Sequence, residues 1–156
     1  MPITYSLEGG NLISAEQNKA IVRSYHEELF NKGNMAIADE IFDSNYLNSA
    51  FDNLGLPRGP EGFKQYASMI RSAFPDFHLS IEDQVAEGDK EVHRITTSGT
   101  HKGNFMNIAP TNKQVEVSAI VIDHFSGGKV IKTWAEIDMF GMMQQLGVIP
   151  PMGQNG

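Results

Sequence analysis

The chain has 156 residues, a formal net charge of −7 at neutral pH and no cysteine. A length of this order makes one domain that buries roughly two-thirds of its unfolded surface, enough for one core and one pocket. The acidic balance, with no basic run, excludes a nucleic-acid partner held through its phosphates, and the missing thiols exclude disulfides, thiolate metal sites and cysteine nucleophiles.

Residues 1–13 are polar and aperiodic and read as a loose arm, without the basic start and apolar run of a signal peptide. No stretch approaches a membrane span, so a soluble, cytoplasmic protein is expected. Ser14 and Gln17 have capping-box spacing and open a helix on which Ile21, Val22, Tyr25, Leu29 and Phe30 form an apolar stripe. Gly33 ends that helix, and Asn34 caps a short second one running to Phe42. Residues 45–50 form a short extended piece, and 51–59 a loop. Pro60 starts a third helix with Phe63, Tyr66, Ala67, Ile70 and Phe74 on one face, and Pro75 stops it.

From Phe77 the apolar period changes from 3.6 to two. Phe77, Leu79 and Ile81 alternate with polar neighbours up to a turn at Glu87-Gly88-Asp89. Residues 91–100 form a second long strand, and 102–113 an Asn-rich loop. Residues 114–125 and 129–138 form a hairpin about Gly127-Gly128, and a short helix, Met139 to Leu146, closes the domain at 14–150 ahead of a tail, 151–156. Helices first and strands afterwards argue for an α+β fold with helices packed on one face of an antiparallel sheet. Ala119, Ile120, Val121 and Ile122 make both faces of the third long strand apolar. The face that the helices leave bare calls for a second copy, so a homodimer through the sheet face is expected.

Trp134 and Asp138 are four apart in a strand and share a face. Two readings of Asp138 stand side by side. It is an acid/base carboxylate in a water-poor pocket, or it is the N-cap of the helix that follows. Hairpin register decides its neighbour. A plain two-residue turn puts Asp123 on the Trp134/Asp138 face, opposite Lys132 and able to pair with it. A one-residue bulge puts His124 there instead. The five histidines have no metal-ligand spacing, and no phosphate loop, dinucleotide fingerprint or nucleophile elbow occurs, so neither metal nor cofactor is expected. Tyr25 and Tyr66 lie on apolar helix faces as core or pocket wall, and Asn48 is a turn residue or a pocket donor.

The ordered set Gly59-Pro60-Glu61-Gly62-Phe63, Phe74-Pro75-Asp76, Val85-Ala86-Glu87-Gly88-Asp89, Gly99-Thr100-His101-x-Gly103, Ala109-Pro110-Thr111, Gly128-Lys129-Val130, Trp134, Asp138 and Gln145-Leu146-Gly147 resembles the SnoaL-like polyketide cyclase family over about residues 15–149. The resemblance implies a cone of the nuclear transport factor 2 type, in which a strongly curved sheet wraps helices around an apolar pocket. It also implies a cofactor-free aldol closure of an aromatic polyketide ester, commonly in a homodimer. Asp138 matches the family's general acid/base and His124 the accompanying strand histidine. Tyr25, Asn48, Tyr66, His101 and Trp134 are the expected substrate-binding residues for an apolar or aromatic ligand. The chain departs from the family pattern at Ser49, in the loop 107–112 and at His124, all near the expected pocket mouth.

Overall fold

The computed structural model describes residues 10–150 and 153, so most of the expected arm and tail lies outside the described residues. Helix α1 spans Gly10–Tyr25 and begins ahead of Ser14, which therefore sits within the helix and not at its cap. At Tyr25 the helix does not stop. It widens into a π-helical turn, His26–Lys32, and ends at Gly33, whose φ of 75° is the left-handed conformation that glycine adopts without strain. The wider turn buries two consecutive side chains twice over, Tyr25 with His26 and Leu29 with Phe30.

A 3₁₀ turn (Met35–Ile37) and helix α2 (Ala38–Ile41) lead into strand β1 (Phe42–Asn48). Helix α3 (Phe51–Leu54) and helix α4 (Pro60–Ala73) follow, and Pro60 takes the first-turn position expected of it. Strands β2 (His78–Glu87), β3 (Lys90–Thr100), β4 (Gln114–Ser126) and β5 (Lys129–Ile137) precede helix α5 (Met139–Leu146). The sheet order is β1-β5-β4-β3-β2. Strands β2 to β5 pair antiparallel, as the pattern implies, and β1 adds a parallel edge beside β5. Helices and sheet close on one aromatic core, in which Phe42 stacks on Phe63 at 4.3 Å and Tyr25 packs edgewise on Phe63 at 5.7 Å. Among the described residues no helix is long and apolar enough to cross a membrane.

One irregularity in the β4–β5 hairpin governs everything that follows. Phe125 pairs with Val130, but His124 pairs with Lys132, so Ile131 is an extra residue in β5. A bulge of this kind reverses which residues face inward beyond it. Asp123, Val121 and Ala119 therefore face inward with Thr133, Ala135 and Ile137, while His124, Ile122 and Ile120 face outward with Lys132, Trp134 and Glu136.

The outer face carries Ile120, half exposed, and Trp134. Arg94, Ile120 and Glu136 form one cross-strand row, with the two charges on either side of the isoleucine. A copy turned by 180° would set each arginine against the other copy's glutamate and bury the two isoleucines between them. We propose that a second copy covers this face. Sedimentation at micromolar concentration should give the mass of two chains, falling to one in Ile120→Arg. A single-chain mass for the unaltered protein would contradict the proposal.

Candidate functional site

Inside the fold lies a cavity of about 120 Å³. The helices contribute Tyr25, His26, Phe30, Phe63, Tyr66 and Met142 to its wall, and the strands contribute Ile95, Thr97, Val117, Ala119, Val121, Thr133, Ala135 and Ile137. The lining is overwhelmingly apolar, so the few polar side chains in it fix what the cavity can do.

His26 is the most informative of them. It is 5% exposed and borders the cavity. Its Nε2 lies 2.8 Å from Nε2 of His93. Nδ1 of His93 lies 2.6 Å from Oε2 of Glu91, and both of these side chains are fully buried. Oε1 of Glu91 accepts a 2.8 Å bond from Nε2 of Gln84, whose Oε1 accepts one of 2.9 Å from Arg23. At the other end of this line, Nδ1 of His26 is buried with no partner among the described residues. An unpaired polar atom in a dry site costs about 1–3 kcal/mol unless something meets it. Burial, and secondarily the neighbouring His93, hold the His26 imidazole well below its ordinary pKa, so the ring is neutral.

A second buried group stands beside the first. Tyr25 donates to Oδ2 of Asp123 at 2.6 Å, and Thr133 donates to Oδ1. Burial raises the Asp123 carboxyl above its usual range, opposed by nearby His93 and by the two hydroxyl donors. Burial, then the Asp123 charge, push the Tyr25 phenol well up. Ligand-capable atoms of Glu91, His93 and Asp123 fall within 4.8 Å of one another. Each already has a protein hydrogen-bond partner, so the cluster is satisfied as a hydrogen-bond network.

The residues singled out from sequence divide between two faces. Tyr25 and Tyr66 line the cavity as expected. Asp138 does not. It is exposed and is the N-cap of α5, with Oδ1 accepting a 2.9 Å bond from Gly141 N–H. Trp134 lies on the outer face beneath the Lys132 ammonium, 4.2 Å from the ring centroid, and His124 packs edgewise on it at 4.5 Å. The bulge thus brings His124 to the side of Trp134, but that side faces away from the cavity. Asp123 pairs with Tyr25 and Thr133 and not with Lys132, because the bulge in β5 turns Thr133 inward and Lys132 outward. His101 is buried outside the cavity lining, where Nδ1 accepts from Thr111 N–H at 3.2 Å and its ring packs on Phe74. Asn48 donates to the Tyr46 hydroxyl and accepts from Ala50 N–H, also outside the lining.

The description "SnoaL-like polyketide cyclase" matches residues 20–146. The chain belongs to the SnoaL-like polyketide cyclase family. It is 26% identical over 119 residues to nogalonic acid methyl ester cyclase from Streptomyces nogalater, covering 76% of this chain and 89% of that one. The fold is similar to that of TsrD from Streptomyces laurentii, with a TM-score of 0.79 and 27% identity over 86% of this chain and 97% of the other. A SnoaL-like polyketide cyclase from Agrobacterium tumefaciens, at 21% identity and a TM-score of 0.68 over 81% and 95% of the two chains, shares the fold. Within this family fold, the His26–His93–Glu91 line was hidden from sequence reasoning. Its residues come from two elements and meet only because the π-helical turn points His26 inward and strand alternation points Glu91 and His93 the same way.

Neutral, buried His26 also couples the site to stability. Tyr25, His93, Glu91 and Asp123 are the titratable groups around it. The unfolded chain takes up a proton at this histidine near its ordinary pKa of 6.5, and the folded state refuses it until well below. Stability from this group is therefore fully present above pH 6.5 and is lost as pH falls through the lower folded pKa, at up to about 1.4 kcal/mol per pH unit. Asp123 works in the opposite sense. Its raised pKa gives stability below its ordinary value that is lost as pH rises through the folded one. Urea unfolding between pH 7.5 and 5 should show a shallower acid loss in His26→Gln than in the unaltered chain. Parallel curves would contradict a neutral, buried His26.

Proposed function

We propose that the chain is a cofactor-independent acid/base catalyst that closes a ring, by an aldol-type step, in an apolar or aromatic carbonyl compound. One observation carries the reading: the apolar cavity is bordered by a buried histidine, His26, with His93 and Glu91 in line behind it. Family membership supports the reaction class, and the His26 geometry supports the assignment of the base to His26. Asp138 is assigned the capping of α5.

The chemistry runs as a proton loan. A carbon flanked by carbonyls gives its proton to the His26 imidazole, which is held in place by His93 at 2.8 Å and, behind it, Glu91 at 2.6 Å from His93. The enolate carbon attacks a second carbonyl held beside it, and the reverse transfer returns the proton to the new alkoxide. The reaction is an isomerisation with no net proton change. Acid/base assistance of this kind contributes about 10²–10⁴-fold, and confinement of the two carbons contributes more. A cavity of about 120 Å³ is near the size of the engineered apolar cavity of about 150 Å³ that takes up benzene, so it takes about one ring of such a substrate.

The same cavity in a non-catalytic role would be a binding module for apolar metabolites, and turnover separates the two readings. A panel of aromatic β-keto esters should include one that is consumed by the unaltered chain. His26→Gln should then lose about 10²–10⁴ in rate. Asp138→Ala should keep its rate while losing about 0.5–2 kcal/mol of stability with the cap. Rates unchanged in His26→Gln and abolished in Asp138→Ala would return the role to Asp138.

A further inference from the structure

The cavity has two unlike ends, and strand register sets how far apart they lie. His26 meets the sheet at His93, whose cross-strand partner is Val121. Tyr25 and Thr133 gather at the same end, around Asp123. The inward side of β3 then runs through Ile95 and Thr97 to Gly99, which pairs with Val115, and all four of these border the cavity. From His93 to Gly99 is about 20 Å of strand. At the far end the Thr97 hydroxyl is spent on the Val117 carbonyl at 3.1 Å, and the wall is Val115, Met139, Met142 and Phe105. Gln145 lays helix α5 against that end, accepting from Glu116 N–H at 2.7 Å and donating to the Glu116 carbonyl at 2.8 Å. A volume of about 120 Å³ drawn out between two such ends is narrow.

Phe105 is held at the far end by backbone as well as by packing. The Ala73 carbonyl, at the end of α4, accepts from Lys102 N–H at 2.9 Å and from Gly103 N–H at 3.0 Å, which ties the start of the loop to the helix. Gly103 approaches so closely that a Cβ there would stand 2.3 Å from the Ser72 carbonyl oxygen. His101 N–H donates to the Lys113 carbonyl and Asn112 N–H to the His101 carbonyl, each at 2.9 Å, and this pair closes the neck of the loop. At its tip Phe105 and Ile108 exchange backbone bonds of 3.0 and 2.8 Å around Met106 and Asn107, whose φ values are 48° and 63°. A two-residue hairpin with both central residues left-handed suits glycine and asparagine, so Met106 adopts a backbone shape that its side chain disfavours. Strain of this kind persists only where the surroundings fix it, and it marks a candidate functional position. The result is Phe105 buried edge-on to Phe74 at 5.5 Å, with Met106 turned to solvent.

We infer that Phe105 is a specificity-determining residue that closes the far end of the cavity and sets the longest ligand it accepts. The ligand is a slender carbonyl compound, its carbonyl at the His26 end and its apolar tail running along β3 and β4 toward Phe105. The inference rests on the cavity being the substrate site and extends that reading from reaction class to ligand shape. The carbonyl belongs where Tyr25, His26 and Thr133 stand, because a polar group buried among Val115, Met139 and Met142 would go unmet. The two methionines adapt to tails of different outline. Each methylene added to the tail buries apolar surface and tightens binding about fourfold, until the tail meets the Phe105 ring. Beyond that length the loop, tied at neck and tip, gives no further room.

The test is equilibrium dialysis of the full chain against phenyl alkyl ketones of increasing tail length, from acetophenone to heptanophenone. In the unaltered protein the dissociation constant should fall with each added methylene and then stop falling, or rise, at a definite tail length within the series. In Phe105→Ala that stop should move to a tail longer by two or more methylenes. Phe105→Leu should move it in the same direction by less, and carries the test if Phe105→Ala does not fold. The position of the stop is the readout, and a general loosening of the fold does not imitate it. A stop at the same tail length in the unaltered chain and the folded variants, a series with no stop in the unaltered chain, or no saturable binding of any ketone would each overturn the inference. A stop that moves as expected, with no keto ester turned over, would remove the catalytic reading alone and leave this one standing.

Discussion

A buried imidazole that commits one nitrogen to a neighbour can offer only the other to whatever enters beside it. The 2.8 Å contact between His26 and His93 imposes that constraint here, and the 2.6 Å contact between His93 and Glu91 anchors it. The site depends on both being dry. In water either ring would exchange tautomers freely, whereas behind a wall of Phe63, Val121 and Ala135 the only partners are those the fold supplies. The apolar lining therefore does two things at once. It holds an apolar ligand, and by excluding water it keeps the His26 ring neutral.

Two local irregularities in the backbone place this chemistry. The π-helical turn opens directly after Tyr25, and Tyr25 and His26 are both buried there. The extra residue Ile131 turns Thr133 in and Lys132 and Trp134 out. Without the bulge, Lys132 would stand where Thr133 now donates to Asp123. These features belong to the fold's connections and not to its regular elements, and irregular backbone of this kind is common around functional sites.

How much of this the sequence discloses follows the same division. The change of period at Phe77, the turn at Gly127-Gly128 and the stop at Gly33 mark elements that form as read, since each depends on local preference. The parallel edge strand β1 does not announce itself, because seven residues that pair with the distant β5 leave no mark in their own pattern. The capping function of Asp138 was open to reading from the helix that follows it, and Oδ1 makes that bond to Gly141. The bulge that brings His124 beside Trp134 is one of the two registers the sequence allows. What the sequence could not show is that this side of the sheet faces away from the helices. Glu91 and His93 alternate correctly with Ile95, yet Val92 offers an equally apolar alternation one residue over, and only pairing with β2 and β4 selects between them.

The most direct measurement is the titration of the His26 ring, read from nitrogen–proton correlation spectra of the uniformly ¹⁵N-labelled chain as the pH is lowered. The account predicts a His26 ring that stays neutral well below its ordinary pKa of 6.5. A His26 that takes up its proton at 6.5 or above would contradict it.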